Sequence, residues 1–256
     1  MPAKSTRNLE KYFAPFRKNV VGVNQTFQTP YGRKKIIYAD WTASGRLYKP
    51  IEDKIAKEFG PFVGNTHTEM TITGTTMTQA YHEAQTIIKK HVNAGPDDVL
   101  IAAGSGMTGA VSKLQRLLGL KVPESLHAFL KIPEDLRPVV FVTHMEHHSN
   151  HTSWLETIAE VVVINHNEKG LVDLDHLENL LKHYRHRQIK IAAVSACSNV
   201  TGIETPYYRI AKLAHEHHGF CFVDFAASAP YVEINMHPKN PLEWLDAIYF
   251  SPHKFL

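Results

Sequence analysis

The sequence has few cysteines and no long apolar segment, and each shortage argues against a class of protein. Two of the 256 residues are cysteines, Cys197 and Cys221, and both lie in apolar segments typical of buried strands. This pattern is not that of a disulfide framework, and it favours a reducing compartment. No segment reaches the roughly 18 consecutive apolar residues that a membrane-spanning helix needs.

The excess of positive over negative charge is also small. With histidine neutral the formal net charge is +3, and the basic residues form no stripe with interleaved aromatic side chains, so nucleic-acid binding is not indicated. The N-terminal segment 1–19 is basic, lacks an apolar core and contains Glu10, which argues against an export signal and leaves organelle targeting as the weaker alternative. We expect a cytoplasmic protein that binds neither nucleic acid nor membranes.

Short apolar segments alternate with amphipathic ones along most of the chain, and the segment 120–137 between them is predicted to be a surface excursion. Continuous apolar segments of this kind are typical of strands buried on both faces. The predicted strands are 34–40, 97–104, 137–144, 160–165, 189–196, 220–226 and 247–251. The predicted helices are 49–62, 75–93, 107–118, 149–159, 174–183 and 206–218. The alternation predicts an α/β fold with a mostly parallel sheet and helices on both faces.

Polar residues collect directly after the predicted strands. In parallel sheets, ligands bind outside the carboxyl ends of the strands. Five strand ends supply small, hydroxyl, imidazole, carboxylate and amine groups, at 104–108, 144–150, 197–202, Asp224 and 251–254. We therefore predict the functional site at this edge of the sheet.

Seven segments, taken in order, resemble a known family. They are "YADWTASG", "GNTH", "GSGMTGA", "MEHHSN", "SNVTGIETP", "VDFAASAP" and "SPHK". From Tyr38 to Lys254 the chain resembles the class V (fold-type I) aminotransferases, which depend on pyridoxal phosphate and include the cysteine desulfurases. The resemblance implies an N-terminal arm, residues 1–33, and a cofactor-binding large domain, residues 34–256. It also implies that this domain is incomplete at its C-terminus and that the small C-terminal domain is absent.

The resemblance implies three catalytic residues. Lys254 matches the lysine that holds pyridoxal 5'-phosphate as a Schiff base and then moves protons at the substrate carbon. Asp224 matches the carboxylate that pairs with the pyridinium nitrogen and keeps it protonated. His147 matches the histidine stacked on the cofactor ring, and its neighbour His148 is the alternative.

The resemblance also implies a phosphate-binding group of residues. Gly106, Met107 and Thr108 open a predicted helix, where backbone N–H groups and the positive helix end favour an anion. Ser251 and His253 match positions that contact the same phosphate in relatives. The remaining implied positions are Ala226 and Asn199 for the cofactor, and His67 and Asn199 for the substrate.

Two departures from the family pattern bear on the reaction. Where cysteine desulfurases have a glutamine that bonds the cofactor, this chain has Ala227, and Ser228 is the nearest hydroxyl. The sequence also stops two residues after Lys254, before the arginine and the cysteine-bearing loop of relatives. We expect an enzyme that acts on an α-amino acid, as a homodimer. The alternatives are a cysteine desulfurase proper and a truncated, non-catalytic cofactor-domain fragment.

A metal site and a purely structural role are the competing interpretations. Histidines at 144–151, and the "HEHH" segment at 215–218, offer imidazole ligands. No acidic or cysteine ligand pattern accompanies the first group, and the second lies at a predicted helix end, where histidine is favourable without a metal. A protein that only dimerises would not need Asp224 and Lys254, so we expect no metal and favour the enzyme.

Overall fold

The computed structural model describes residues 8–255, which divide into two compact units. The first comprises the described residues up to Thr86 together with Lys254 and Phe255. The second comprises Ile87–His253. No helix of the described range is long and apolar enough to cross a membrane.

The first unit is mostly helical, with one small antiparallel sheet. Its elements are α1 (Leu9–Lys18), β1 (Thr26–Thr29), β2 (Gly32–Lys35), α2 (Lys49–Lys54) and α3 (Ile72–His91), within which the unit boundary falls. Pro50 lies in the first turn of α2, where its missing N–H is not needed. A π-helical segment, Ile55–Phe59, and a 3-10 turn, Gly60–Phe62, complete the predicted helix 49–62. The predicted strand 34–40 is wrong beyond Lys35, because only its first two residues pair with β1.

The second unit is built on a five-stranded parallel sheet, which confirms the predicted fold class. Its strand order is β4-β3-β5-β6-β7. In chain order its elements are α4 (Met107–Leu117), α5 (Glu124–His127), β3 (Val139–Thr143), α6 (His148–Leu155), β4 (Glu160–Ile164), α7 (Leu174–His183), β5 (Lys190–Ser195), α8 (Tyr207–Glu216), β6 (Phe220–Asp224) and β7 (Ala247–Tyr249). The segment between α4 and β3 runs over the surface, as predicted, with Phe129 79% exposed.

Helices cover both faces of this sheet, since successive strand residues point to opposite sides. One face packs against α4 and α6 in a buried cluster that includes Met107, Val111, Val140, Val142, Trp154, Ile191, Ala193 and Phe222. On the other face the ring of Phe141 lies 5.8 Å from that of Tyr184, at the end of α7. The sulfur of Cys221 lies 4.0 Å from the carbonyl oxygen of Tyr207, at the start of α8.

The predicted strand 97–104 is wrong, and the structure shows why. Within the described chain β7 pairs only with β6, and the segment 97–104 belongs to neither sheet. A cavity of about 640 Å³ lies between this segment and β7. Val99 is consequently 81% exposed and Ile101 47% exposed. The segment has the apolar composition of a strand, but composition alone does not place it in a sheet, which also requires a continuous ladder with a neighbouring strand.

Candidate active site

The direction of strand addition changes between β3 and β5. From β3 the chain first adds β4 on one side, and β5, β6 and β7 are then added on the other. Loops that leave two neighbouring strands in opposite directions open a crevice at their carboxyl ends, where ligands of such sheets bind. The segment 144–150 leaves β3 and the segment 196–202 leaves β5, so two of the predicted segments border this crevice.

Glu146 joins the two strand ends that border the crevice, and the sequence analysis missed its role. Its Oε1 accepts hydrogen bonds from the backbone N–H groups of Thr143 (3.2 Å) and Ser195 (3.1 Å), and from the Thr143 hydroxyl (2.6 Å). Its Oε2 accepts from the Ser195 hydroxyl and the Asn150 amide, both at 2.7 Å. Bonds to a carboxylate are stronger than neutral ones, so Glu146 holds the start of α6 against β3 and β5. The only available signal was its place in "MEHHSN", between a strand and a helix.

His147 is the N-cap of α6, and its ring is connected to the start of α4. Its Nδ1 accepts a hydrogen bond from the backbone N–H of Ser149 at 3.1 Å and lies 2.9 Å from the Ser149 hydroxyl oxygen. The Thr108 hydroxyl donates to the same oxygen at 2.9 Å. The structure therefore brings two predicted site residues, His147 and Thr108, into one hydrogen-bonded chain through Ser149. The alternative, His148, has its ring centroid 6.2 Å from that of His147.

The predicted phosphate-binding residues also meet at the start of α4. The backbone N–H of Met107 donates to the buried hydroxyl of Ser251 at 2.9 Å. The His253 Nδ1 lies 3.3 Å from the carbonyl oxygen of Ser105. A Cβ added at Gly106 would lie 3.0 Å from the Ser251 oxygen and 3.1 Å from His253 Cε1. Glycine at this position is therefore what leaves space in the cradle formed by residues 105–107, Ser251 and His253.

Asp224 ends β6 with a buried side chain, 5% exposed. Its Oδ1 accepts a hydrogen bond from the backbone N–H of Ala226 at 2.8 Å. In the parallel ladder it pairs with Tyr249 of β7. Burial first, and the negative charge of Asp224 second, hold the pKa of the Tyr249 hydroxyl well above its usual value. The site thus contains a carboxylate whose charge acts on its neighbours through an environment with little water.

Asn199 lies on an exposed loop after β5. Within this loop the Ser198 hydroxyl accepts hydrogen bonds from the backbone N–H groups of Val200 (3.3 Å) and Thr201 (3.2 Å). The loop is therefore ordered from within, and Asn199 is carried at its exposed side. Its implied contacts to cofactor and substrate stay predictions.

Ala226 is half-buried and packs against the cluster under α4 and α6. Ser228, the nearest hydroxyl to the family's glutamine position at Ala227, is buried. Its Oγ has no hydrogen-bond partner among residues 8–255. The hydroxyl is present, but it faces the protein interior rather than solvent.

Lys254 and His67 belong to the first unit. Lys254 ends the 3-10 turn Pro252–Lys254 and is half-buried. The backbone after it packs closely on "YADWTASG", since a Cβ at Gly45 would overlap the carbonyl group of Phe255. His67 is exposed, with φ of +63°, and its backbone N–H donates to the Thr78 hydroxyl at 3.0 Å.

Neither cysteine fits a reactive thiol. Burial raises the pKa of the Cys221 thiol, and burial with the charge of Glu204 raises that of Cys197. Thiols of raised pKa stay protonated at neutral pH and are poor nucleophiles.

The histidine clusters do not form metal centres in the described part of the chain. No three His, Cys, Asp or Glu side chains among residues 8–255 are grouped closely enough to hold a metal ion. Within "HEHH", the Nε2 of His215 lies 2.9 Å from Asp246 and its Nδ1 lies 2.8 Å from the Leu242 carbonyl oxygen. Both ring nitrogens of His215 are thus used within the protein.

Solved structures share the fold of this chain. A match to the apo structure of a cysteine desulfurase from Thermococcus onnurineus NA1 has a TM-score of 0.71 at 20% identity, over 94% of this chain and 53% of that one. A match to the cysteine desulfurase CsdA from Escherichia coli has a TM-score of 0.63 at 24% identity, over 85% and 50%. At these identities the likeness is one of fold.

Curated relatives with similar sequences also carry the name cysteine desulfurase. A probable cysteine desulfurase from Halalkalibacterium halodurans is 25% identical over 223 residues, 86% of this chain and 50% of its own length. A cysteine desulfurase from Haloferax volcanii is 24% identical over 225 residues, 86% and 48%. The chain therefore spans about half the length of the curated relatives it matches. The model of one family, aminotransferase class V, matches residues 37–256. With that match over most of its length, the chain belongs to the class V aminotransferase family.

Proposed function

We propose that this chain is the cofactor-binding part of an enzyme that uses pyridoxal 5'-phosphate to transform an α-amino acid. When bound, this cofactor withdraws electrons from the substrate carbon and so eases loss of a proton there. The observation that carries the proposal is that Met107, Ser251 and His253 meet around Gly106. Ser251 and His253 directly precede Lys254 in the chain.

The cradle at the start of α4 fits a phosphate group. The positive end of an α-helix and its first N–H groups favour anions. α4 is eleven residues long, and Ser251 and His253 add a hydroxyl and an imidazole beside its first turn. We propose that these residues bind the phosphate together with the backbone N–H of Thr108, since the Thr108 hydroxyl donates to Ser149.

The buried carboxylate at the end of β6 would suit the protonated nitrogen of an aromatic heterocycle. Asp224 is buried at the end of β6, so its charge stabilises a proton on a ring nitrogen more strongly than a solvated carboxylate would. We propose that His147 lies over the ring, held by Ser149 and, through the start of α6, by Glu146. Asn199, Ala226 and His67 remain proposed contacts of cofactor or substrate.

Lys254 supplies the reactive amine in this proposal. With the cofactor bound, the Lys254 amine would hold its aldehyde, and once released by the substrate the same amine would move a proton at the substrate carbon. The homodimer and the cytoplasmic location expected from the sequence belong to the same proposal.

A cysteine desulfurase is the second candidate, because the relatives and solved structures described above carry that name. Sulfur removal needs a reactive thiol to accept the sulfur, and the raised pKa values of Cys197 and Cys221 make both unsuitable. In that case the acceptor thiol would have to come from outside this 256-residue sequence. The alternative of a non-catalytic fragment makes the opposite prediction, that the cofactor does not bind covalently.

Titration of the purified chain with pyridoxal phosphate tests the proposal. We expect a visible absorption band of a lysine Schiff base in the parent protein and its loss in Lys254→Ala. Lys239→Ala, at an exposed lysine, is the matched control and should keep the band. A band that survives in Lys254→Ala would refute the assignment of the lysine, and no band in any variant would favour the non-catalytic fragment.

A further inference from the structure

The Nδ1 atom of His147 faces two donors of Ser149. The first is the backbone N–H, at 3.1 Å, and the second is the hydroxyl, whose oxygen lies at 2.9 Å. A backbone N–H can only donate, so the nitrogen that faces it must offer a lone pair. Nδ1 therefore carries no proton in this arrangement. In a neutral imidazole the proton must then be on Nε2.

The hydroxyl groups behind the ring are ordered by the same reasoning. Because Nδ1 has no proton, the Ser149 hydroxyl is a donor toward the ring. Its oxygen is then an acceptor for the Thr108 hydroxyl, which lies 2.9 Å away. The direction of donation therefore runs from Thr108, in the first turn of α4, through Ser149 to His147 of α6. Chains of hydroxyl donors polarise one another and strengthen each bond.

We infer that Ser149 is a positioning residue that holds His147 as the Nε2-protonated tautomer, so that this neutral imidazole acts toward a bound substrate as a hydrogen-bond donor and not as a base. A base at Nε2 would need a lone pair that this tautomer does not have. A base at Nδ1 would have to break the N-cap of α6. The inference deepens the proposed function, on which it rests for the nature of the substrate, and it assigns proton removal to Lys254.

The tautomer can be measured on the chain without any cofactor. Long-range proton–nitrogen correlation NMR distinguishes protonated from unprotonated imidazole nitrogens, and the His147 signals are those lost in His147→Gln. We expect Nε2 protonated and Nδ1 unprotonated in the neutral ring. A dominant Nδ1-protonated form, or equal amounts of the two tautomers, would overturn the inference.

Substitutions at Ser149 separate positioning from mere packing. Ser149→Ala should increase the Nδ1-protonated share at least twofold, because one of two donors is lost, whereas Ser149→Thr should keep the parent signals. Ser153→Ala, on the same helix and bonded to Gln115, is the matched control and should leave them unchanged. Identical His147 signals in Ser149→Ala and the parent would show that the hydroxyl has no positioning role.

Substitutions at Thr108 test the first link in the chain. Thr108→Val removes the hydroxyl at nearly constant shape and should shift the Nδ1 signal of His147 in the same direction as Ser149→Ala, but less. Thr108→Ser keeps a hydroxyl and should match the parent; an unchanged signal in Thr108→Val would break the proposed link. These readouts need no turnover, so failure of the Schiff-base titration would refute the proposed function and leave the tautomer result intact.

Discussion

Burial of the Asp224 carboxylate costs free energy unless hydrogen bonds or a positive charge compensate. The backbone N–H of Ala226 supplies one hydrogen bond, at 2.8 Å. In the proposed site a protonated ring nitrogen supplies the positive charge. An asparagine at this position would keep the hydrogen bond and remove the charge, so one substitution separates the two roles of Asp224.

We predict that Asp224→Asn keeps the fold and the Schiff-base band but lowers turnover of an amino-acid substrate by about 100-fold or more, the size of effect seen when one preorganised electrostatic contact is lost. Steady-state kinetics, with circular dichroism as the folding control, measures this. Turnover within about threefold of the parent would mean that the carboxylate is only structural.

The segment 97–104 has a sequence that favours a strand, but within residues 8–255 it is part of neither sheet. Its residues are apolar, yet the side chain of Val99 is 81% exposed. The facing strand, β7, has only β6 as a partner within residues 8–255. A cavity of about 640 Å³ is lined by both segments.

Hydrogen exchange should report this difference between elements. We predict that the backbone amides of residues 101–103 exchange much faster than those of β5, which is buried along its whole length and bonded on both sides. Mass-spectrometric exchange of the 256-residue chain resolves the two peptides. Equal protection in both would contradict the described conformation of 97–104.

The elements that could be predicted are those whose signals are local. Each of β3, β5 and β6 is a mostly apolar segment, and α7 begins after Asp173, whose side chain accepts the His176 N–H at 2.9 Å.

The features that could not be predicted depend on partners that are distant in the sequence. Glu146 bonds to Ser195 across the gap between β3 and β5, where the direction of strand addition changes, and within residues 8–255 the segment 97–104 is part of neither sheet. The sheet rule accounts for where the predicted site residues after β3 and β6 lie, but the bond from Met107 to Ser251 joins two chain segments whose pairing no local pattern encodes.

At the scale of the whole molecule, buried thiol and phenol groups make the free energy of unfolding depend on pH. Burial raises the pKa of Cys221 and Tyr249, and raises that of Tyr207 to about 12. These groups stay protonated in the folded chain while they ionise near their ordinary values, 9.0 for cysteine and 10.0 for tyrosine, once it unfolds. The unfolded state then binds fewer protons, so the stability present below about pH 9 is lost as pH rises toward about 12.

We predict that the free energy of unfolding falls between about pH 9 and pH 11. Urea denaturation followed by circular dichroism measures it, and Cys221→Ala should remove part of the fall at the lower end of this range. A free energy of unfolding that is constant over the range would show that these side chains are accessible to solvent in the folded protein.

Covalent capture of pyridoxal phosphate by Lys254 is the central claim for the molecule. Borohydride reduction converts a Schiff base into a stable secondary amine, and peptide mass spectrometry then locates the modified lysine. We predict that, after incubation with the cofactor and reduction, the peptide containing Lys254 carries the pyridoxyl group while peptides with exposed lysines such as Lys239 do not. An unmodified Lys254, or label spread evenly over the surface lysines, would contradict the account.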